Sequence, residues 1–192
     1  MTQTRAKGGA SFGGSERRRL FCALCLPAET VQGLVGWQQT AFGEVRDVRI
    51  LSSEQLHITL AFLGHRPVDE VDAIVGALRE AASDAERPLL SVRGYRETRS
   101  VGMLALDDES GHAGRLARDL HGRLEALGVY EPERREWLPH VTVLRFKTRP
   151  RLRPALPDLE PLSPSDAAVY LSRLRPGGAQ YQVLESVALG GR

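Results

Sequence analysis

The sequence predicts an α+β fold in which two lobes, related by a pseudo-twofold axis, flank a central cleft. Strand and helix periodicities alternate in the order β-α-β-β-α-β-β-α-β-β-β, mixing helices with antiparallel hairpins. One short pattern also occurs twice, as His57-Ile58-Thr59-Leu60 and His140-Val141-Thr142-Val143, once in each half. No other internal repeat accompanies it.

The elements follow in order. Residues 1–18 read as a flexible, basic, Gly- and Ser-rich tail, and 19–192 as one bilobal domain. Leu20 to Leu26 is a near-continuous apolar strand, ended by Pro27. Pro27 opens a helix to about Phe42, since the first turn has no use for the missing N–H. Val48–Leu51 is a short strand, and Leu56–Leu63 carries the first motif and ends at Gly64. Val68–Ser83 is an amphipathic helix with Val71, Ile74, Val75 and Leu78 on one face. Leu89–Tyr95 and Val101–Leu106 alternate as paired strands. Gly111–Leu127 is a second amphipathic helix with Leu116, Leu120, Leu124 and Leu127 as its stripe, closed by Gly128. His140–Phe146 carries the second motif. A Pro-rich extended crossing (Pro150, Pro154, Pro157, Pro161, Pro164) leads to strands Ala167–Leu174 and Tyr181–Leu189, which Pro176-Gly177-Gly178 joins as a hairpin.

Bulk properties exclude several classes. At 192 residues the chain can bury a real core, and 42% hydrophobic with 26% charged residues is ordinary globular composition. No apolar run approaches the roughly 20 residues that span a bilayer. The N-terminus lacks a signal-peptide pattern, so a cytoplasmic monomer without membrane attachment is expected. Cys22 and Cys25 lie in an apolar strand, where a spacing of three sends them to opposite faces. They are expected as core residues, without the helix N-terminus of a redox pair or the further ligands of a zinc site.

The repeated pattern carries the chemistry. Strand alternation puts His57 with Thr59, and His140 with Thr142, on one face, while Ile58, Leu60, Val141 and Val143 point into a core. Two such matches among five histidines should occur by chance on the order of once in a few hundred such sequences. Two imidazoles and two hydroxyls facing each other suit acid-base chemistry on a phosphate. His65, His112 and His121 fall in a loop and on solvent-exposed helical positions by the same reading. Positive charge gathers at Arg17–Arg19 and at Arg145, Lys147, Arg149, Arg151 and Arg153. The second cluster either steers a polyanion toward the proposed phosphate site or is a solvated face.

The extended motifs His57-Ile58-Thr59-Leu60-Ala61-Phe62-Leu63-Gly64 and Pro139-His140-Val141-Thr142-Val143-Leu144-Arg145 resemble the 2H phosphoesterase superfamily. Within it, the chain is similar to the RNA 2′,3′-cyclic phosphodiesterases, also described as 2′-5′ RNA ligase-like. The opening Arg19-Leu20-Phe21-Cys22-Ala23-Leu24 and the closing Leu174-Arg175-Pro176-Gly177-Gly178-Ala179-Gln180-Tyr181 share the likeness, which covers about 19–189. Val143 stands where the family more often has Leu.

The resemblance implies metal-independent hydrolysis of RNA 2′,3′-cyclic phosphate ends to a 2′-phosphomonoester, with reversible 2′-5′ ligation beside it. His57 would be the proton donor and His140 the acceptor, and no cofactor is implied. Thr59 and Thr142 would hold the phosphate oxygens. Arg145 is a candidate substrate contact, although strict alternation puts it on the face opposite His140. The motifs alone do not say which histidine is acid and which base. Rival readings are another cyclic nucleotide or an ADP-ribose cyclic phosphate as substrate, a non-catalytic RNA-binding module, and a zinc site using both histidines.

Overall fold

A computed structural model describes residues 16–190, so the expected tail lies outside the described residues as far as residue 15. Arg17 and Arg18, expected in that tail, instead open the first strand, opposite Pro67 and Arg66. In chain order the elements are β1 (Arg17–Leu24), α1 (Ala28–Phe42), β2 (Val48–Ile50), β3 (Ile58–Pro67), α2 (Val71–Ser83), β4 (Leu90–Glu97), β5 (Val101–Asp108), α3 (His112–Ala126), β6 (His140–Phe146), β7 (Asp166–Arg175) and β8 (Gly178–Ala188). This is the predicted order.

The eight strands among the described residues form one sheet, β4-β5-β6-β3-β1-β7-β8, with β2 alongside β6, and their pairings are antiparallel. The two halves meet at a single bridged pair, Ile58 opposite Val141, between the two motif strands. Each bridging residue follows its motif histidine by one position, so the junction has local twofold symmetry. That pair is the structural form of the two expected lobes.

One apolar cluster unites the helices with the sheet. It takes Leu34 and Phe42 from α1, Ile74 and Leu78 from α2, and Leu116, Leu120 and Leu124 from α3 against Cys22, Leu24, Ile58, Leu60, Val141 and Val143. Leu127, expected in the α3 stripe, is exposed because the helix ends one residue earlier. Gly128 (φ 70°) terminates α3 as expected, its N–H donating to the Glu125 carbonyl at 2.8 Å. The Pro-rich crossing lies across α1, where the Trp37 indole donates to the Ala155 carbonyl at 2.8 Å. Gly33 permits the approach, since a Cβ there would sit 2.5 Å from the Leu159 side chain.

Two expectations change at β3. The strand continues past Gly64, whose φ of 68° absorbs a register shift against β1. His65 therefore lies in the strand, opposite Arg19, and not in a loop. Cys22 is buried, and burial pushes its thiol up to about 12. Cys25 is only partly buried, 3.4 Å from the Tyr170 hydroxyl.

Candidate active site

Extending the Ile58–Val141 register by one residue each way sets His57 opposite Thr142 and Thr59 opposite His140. The pleat then puts all four on the sheet face away from the apolar cluster. His57 stands one residue ahead of β3, and His140 is the first residue of β6. Their rings are fixed in the same way. Nδ1–H of His57 donates to the Gln55 carbonyl at 2.8 Å, and Nδ1–H of His140 to the Leu138 carbonyl at 2.8 Å. A carbonyl can only accept, so each Nδ1 carries a proton and each Nε2 is left for chemistry. The Thr59 hydroxyl donates to Nε2 of His57 at 3.2 Å.

Beyond the junction β3 and β6 diverge, and side chains replace the missing ladder. The Trp137 indole donates to the Thr59 carbonyl at 3.0 Å, and His121 Nε2–H to the Leu60 carbonyl at 2.7 Å. His121 also stacks on Tyr130, with ring centroids 4.6 Å apart. It is thus a partly buried support for the first motif strand, not the solvent-exposed helical residue expected. His112 meets the Arg87 carbonyl and the Glu86 carboxylate at the start of α3.

An aromatic floor lies under His57. Phe21 sits 4.8 Å from its ring, with Tyr170 and Tyr181 at 6.0 and 5.3 Å between centroids. Burial against this floor, reinforced by the nearby His140 and Arg145, pushes the His57 pKa down to about 4, against the opposing pull of the Gln55 carbonyl. His57 is therefore held neutral at neutral pH.

The cleft, about 320 Å³, is lined by His57, Thr59 and Thr142 together with Arg19, Arg49, Arg145 and Arg175, and among the described residues no Asp or Glu joins them. His140 borders the adjoining cavity, which shares Thr59 and Phe62 with the cleft. Arg145 reaches this face against strict alternation, and a bulge is the cause. Met103 pairs with Thr142 while Gly102 pairs with Leu144, leaving Val143 as an extra residue in β6. Val143 and Leu144 are both buried, and the phase shift turns Arg145 into the cleft. Buried Gln38 of α1 holds the distortion, its amide donating to the Val143 carbonyl at 2.8 Å and the Leu51 carbonyl at 3.2 Å.

Arg49 stands directly opposite Arg145 on β2. Like charges so placed repel, and an anion between them removes the penalty. Arg19, Arg49, Arg175, Phe21 and Tyr181 were not legible as site residues from the sequence. Only sheet register brings them to the histidines, although Arg19, Phe21, Arg175 and Tyr181 lie in segments that carry the family likeness.

The expected polyanion track at Arg149, Arg151 and Arg153 lies outside the histidine cleft. These residues line a depression with Tyr95, Arg96 and Glu97, and Arg96 also lines the cavity that adjoins the cleft. Glu97, its side chain 2% exposed, accepts from Arg149 Nε (3.1 Å) and from the backbone N–H groups of Arg151 and Leu152 (2.9 and 2.8 Å). Tyr95, two residues before Glu97 on β4, packs 5.7 Å from Phe42 of α1 between ring centroids, which sets this segment toward the helix face. Among the described residues, no three His, Cys, Asp or Glu side chains are grouped so as to hold a metal ion. No helix among them is long and apolar enough to cross a membrane.

Paired histidines and hydroxyls on two symmetry-related strands, above an arginine-lined cleft, define a phosphoesterase of the two-histidine type. The sequence matches the description "2′-5′ RNA ligase superfamily" over residues 28–174, and the chain belongs to that family. It is 35% identical over 184 residues to the RNA 2′,3′-cyclic phosphodiesterase of Thermus thermophilus, covering 90% of this chain and 91% of that one. To the Escherichia coli protein of the same name it is 29% identical, covering 68% of this chain and 73% of that one. A crystal structure of a Thermus thermophilus protein superposes with a TM-score of 0.76 at 31% identity, covering 90% of this chain and 98% of that one. Escherichia coli LigT complexed with 3′-AMP shares the fold, with a TM-score of 0.79 at 24% identity over 91% of this chain and 99% of that one.

Proposed function

We propose that the protein hydrolyses RNA 2′,3′-cyclic phosphate ends, and cyclic nucleotides of the same kind, to 2′-phosphomonoesters. The observation that carries this reading is the pair of equivalently tethered histidines, each with Nε2 left for chemistry, at and beside a cleft lined by four arginines and, among the described residues, no carboxylate.

In the forward reaction His140 Nε2 takes a proton from water as the water oxygen attacks phosphorus. The bond from phosphorus to the ribose 3′ oxygen breaks in line, and protonated His57 gives its Nε2 proton to that oxygen. This division of roles follows the family likeness. The Thr59 and Thr142 hydroxyls donate to the non-bridging oxygens, and Arg145 with Arg49 holds the charge that builds there. Acid, base and oxyanion donors are all side chains, so the scheme needs neither metal nor cofactor. A 5′-hydroxyl in the place of water would give 2′-5′ ligation by the same steps run between two RNA ends. The protein is proposed to work as a cytoplasmic monomer.

Turnover of a 2′,3′-cyclic nucleotide tests the assignment. His57→Ala and His140→Ala should each lower kcat by roughly 10²–10⁴-fold. The double variant should fall far short of the product of the two, because the pair acts as a unit. Thr59→Ala and Thr142→Ala should each cost less. Near-normal kcat in either histidine variant would refute the acid and base roles of the pair.

A further inference from the structure

The cavity beside the catalytic cleft is the larger of the two, about 610 Å³, and opens from His140 along Met103 and Trp137 to Arg96. Sheet register builds it. Met103 of β5 stands opposite Thr142, and Arg96 of β4 opposite Met103, so the three form one row on the catalytic face. At a strand spacing of about 4.8 Å, Arg96 lies roughly 10 Å from Thr142. Met103, Tyr130 and Trp137 give the cavity apolar and aromatic walls, and Glu133, Arg135 and Glu136 also line it, Glu133 being paired with Arg135 at 3.0 Å. Arg96 forms no ion pair among the described residues. A flat apolar wall next to a free cation suits a base and its phosphate.

The histidine cleft already has its own aromatic surface in Phe21 and Tyr181. A cyclic mononucleotide, with its phosphate between the histidines and its base on that surface, reaches the second cavity only at its His140 end and leaves the stretch from Met103 to Arg96 unfilled. A water molecule, the other reactant, takes about 30 Å³ and does not account for it either. Resting on the reaction proposed above, we infer that this cavity binds the nucleotide adjoining the cyclic end of an RNA. Its base lies against Met103 and Trp137, and its phosphate meets Arg96. The enzyme is thereby built to prefer an RNA end over a free cyclic nucleotide.

The test compares a cyclic mononucleotide with a dinucleotide that ends in the same 2′,3′-cyclic phosphate. For the wild type, KM should be lower for the dinucleotide. Arg96→Ala and Met103→Ala should each raise the dinucleotide KM by roughly ten-fold, the worth of one good contact of about 1.4 kcal/mol. Both should leave kcat and KM for the mononucleotide unchanged. Arg96→Ala should also flatten the salt dependence of dinucleotide binding by about 0.7 in logarithmic slope, as expected for one lost phosphate contact on a single strand. Unchanged thermal unfolding confirms that the variants are folded. If both variants impair the mononucleotide equally, the cavity holds the terminal base and the inference fails. An unaltered dinucleotide KM in both variants also overturns it, since the chain then leaves another way, as by the Arg175 hairpin. Absence of wild-type turnover on both substrates would overturn the reaction itself, and this inference with it.

Discussion

A phosphate monoester dianion in the cleft should raise the pKa of His57 by about three units. In the free protein, burial against Phe21, Tyr170 and Tyr181 and the nearness of His140 and Arg145 push it down to about 4. A general acid must be protonated, so the proton has to arrive with the substrate or product. One unit of negative charge about 4 Å from Nε2, at an effective dielectric of about 20, contributes roughly 4 kcal/mol. At about 1.4 kcal/mol per pKa unit, that moves His57 to near 7. The second charge of the dianion is set against the four arginines and is left out of the sum. Imidazole nitrogen shifts followed by NMR, with and without saturating 2′-nucleotide, read this directly, and His57→Gln assigns the signal. Calorimetry in two buffers of different ionisation enthalpy should show proton uptake on binding near neutral pH. A free His57 that titrates at 6.5 or above, or one that does not move when the cleft is filled, would refute the reasoning.

Three further outcomes follow from the same contacts. Because the folded pKa of His57 lies below its ordinary value of 6.5, its stabilising contribution is present above 6.5 and is lost as pH falls toward 4. Urea unfolding across that window should show a stability loss that His57→Gln lacks. Gln38→Leu removes the side chain that ties the Val143 bulge to Leu51, and should cost about 2 kcal/mol. That lowers Tm by roughly 4–8 °C and, by loosening Arg145, raises KM for cyclic nucleotides. Glu97→Ala leaves Arg149 unpaired and the backbone of 151–152 without its acceptor, at a cost of about 3 kcal/mol, while kcat on a cyclic mononucleotide stays unchanged.

Much of the molecule was written in local patterns. Period-two and period-3.6 runs placed all eleven elements, because each buries one face against the same core. The duplicated His-x-Thr pattern put the four central side chains on one face without knowledge of their partners. What remained hidden depended on pairing between distant strands. Arg145 was expected on the wrong face, since a bulge at Val143 has no local sequence mark and is held by Gln38, 105 residues away. Arg49 became meaningful only when β2 set it opposite Arg145. His121 looked like an exposed helical residue until the divergence of β3 from β6 left the Leu60 carbonyl in need of a donor. The Arg149–Arg153 stretch looked like part of the site because it follows the second motif closely. The chain turns away at the β4–β5 hairpin, and buried Glu97 holds it there.

The most direct test of the two-histidine reaction is the product formed from a 2′,3′-cyclic nucleotide in excess chelator, followed by phosphorus NMR. The mechanism predicts a single new signal, that of the 2′-phosphomonoester, formed at the same rate with and without the chelator. A 3′-phosphomonoester would contradict the proton-donor role of His57 toward the 3′ oxygen. Turnover that stops in the chelator and returns with zinc or magnesium would contradict the two-histidine mechanism as a whole.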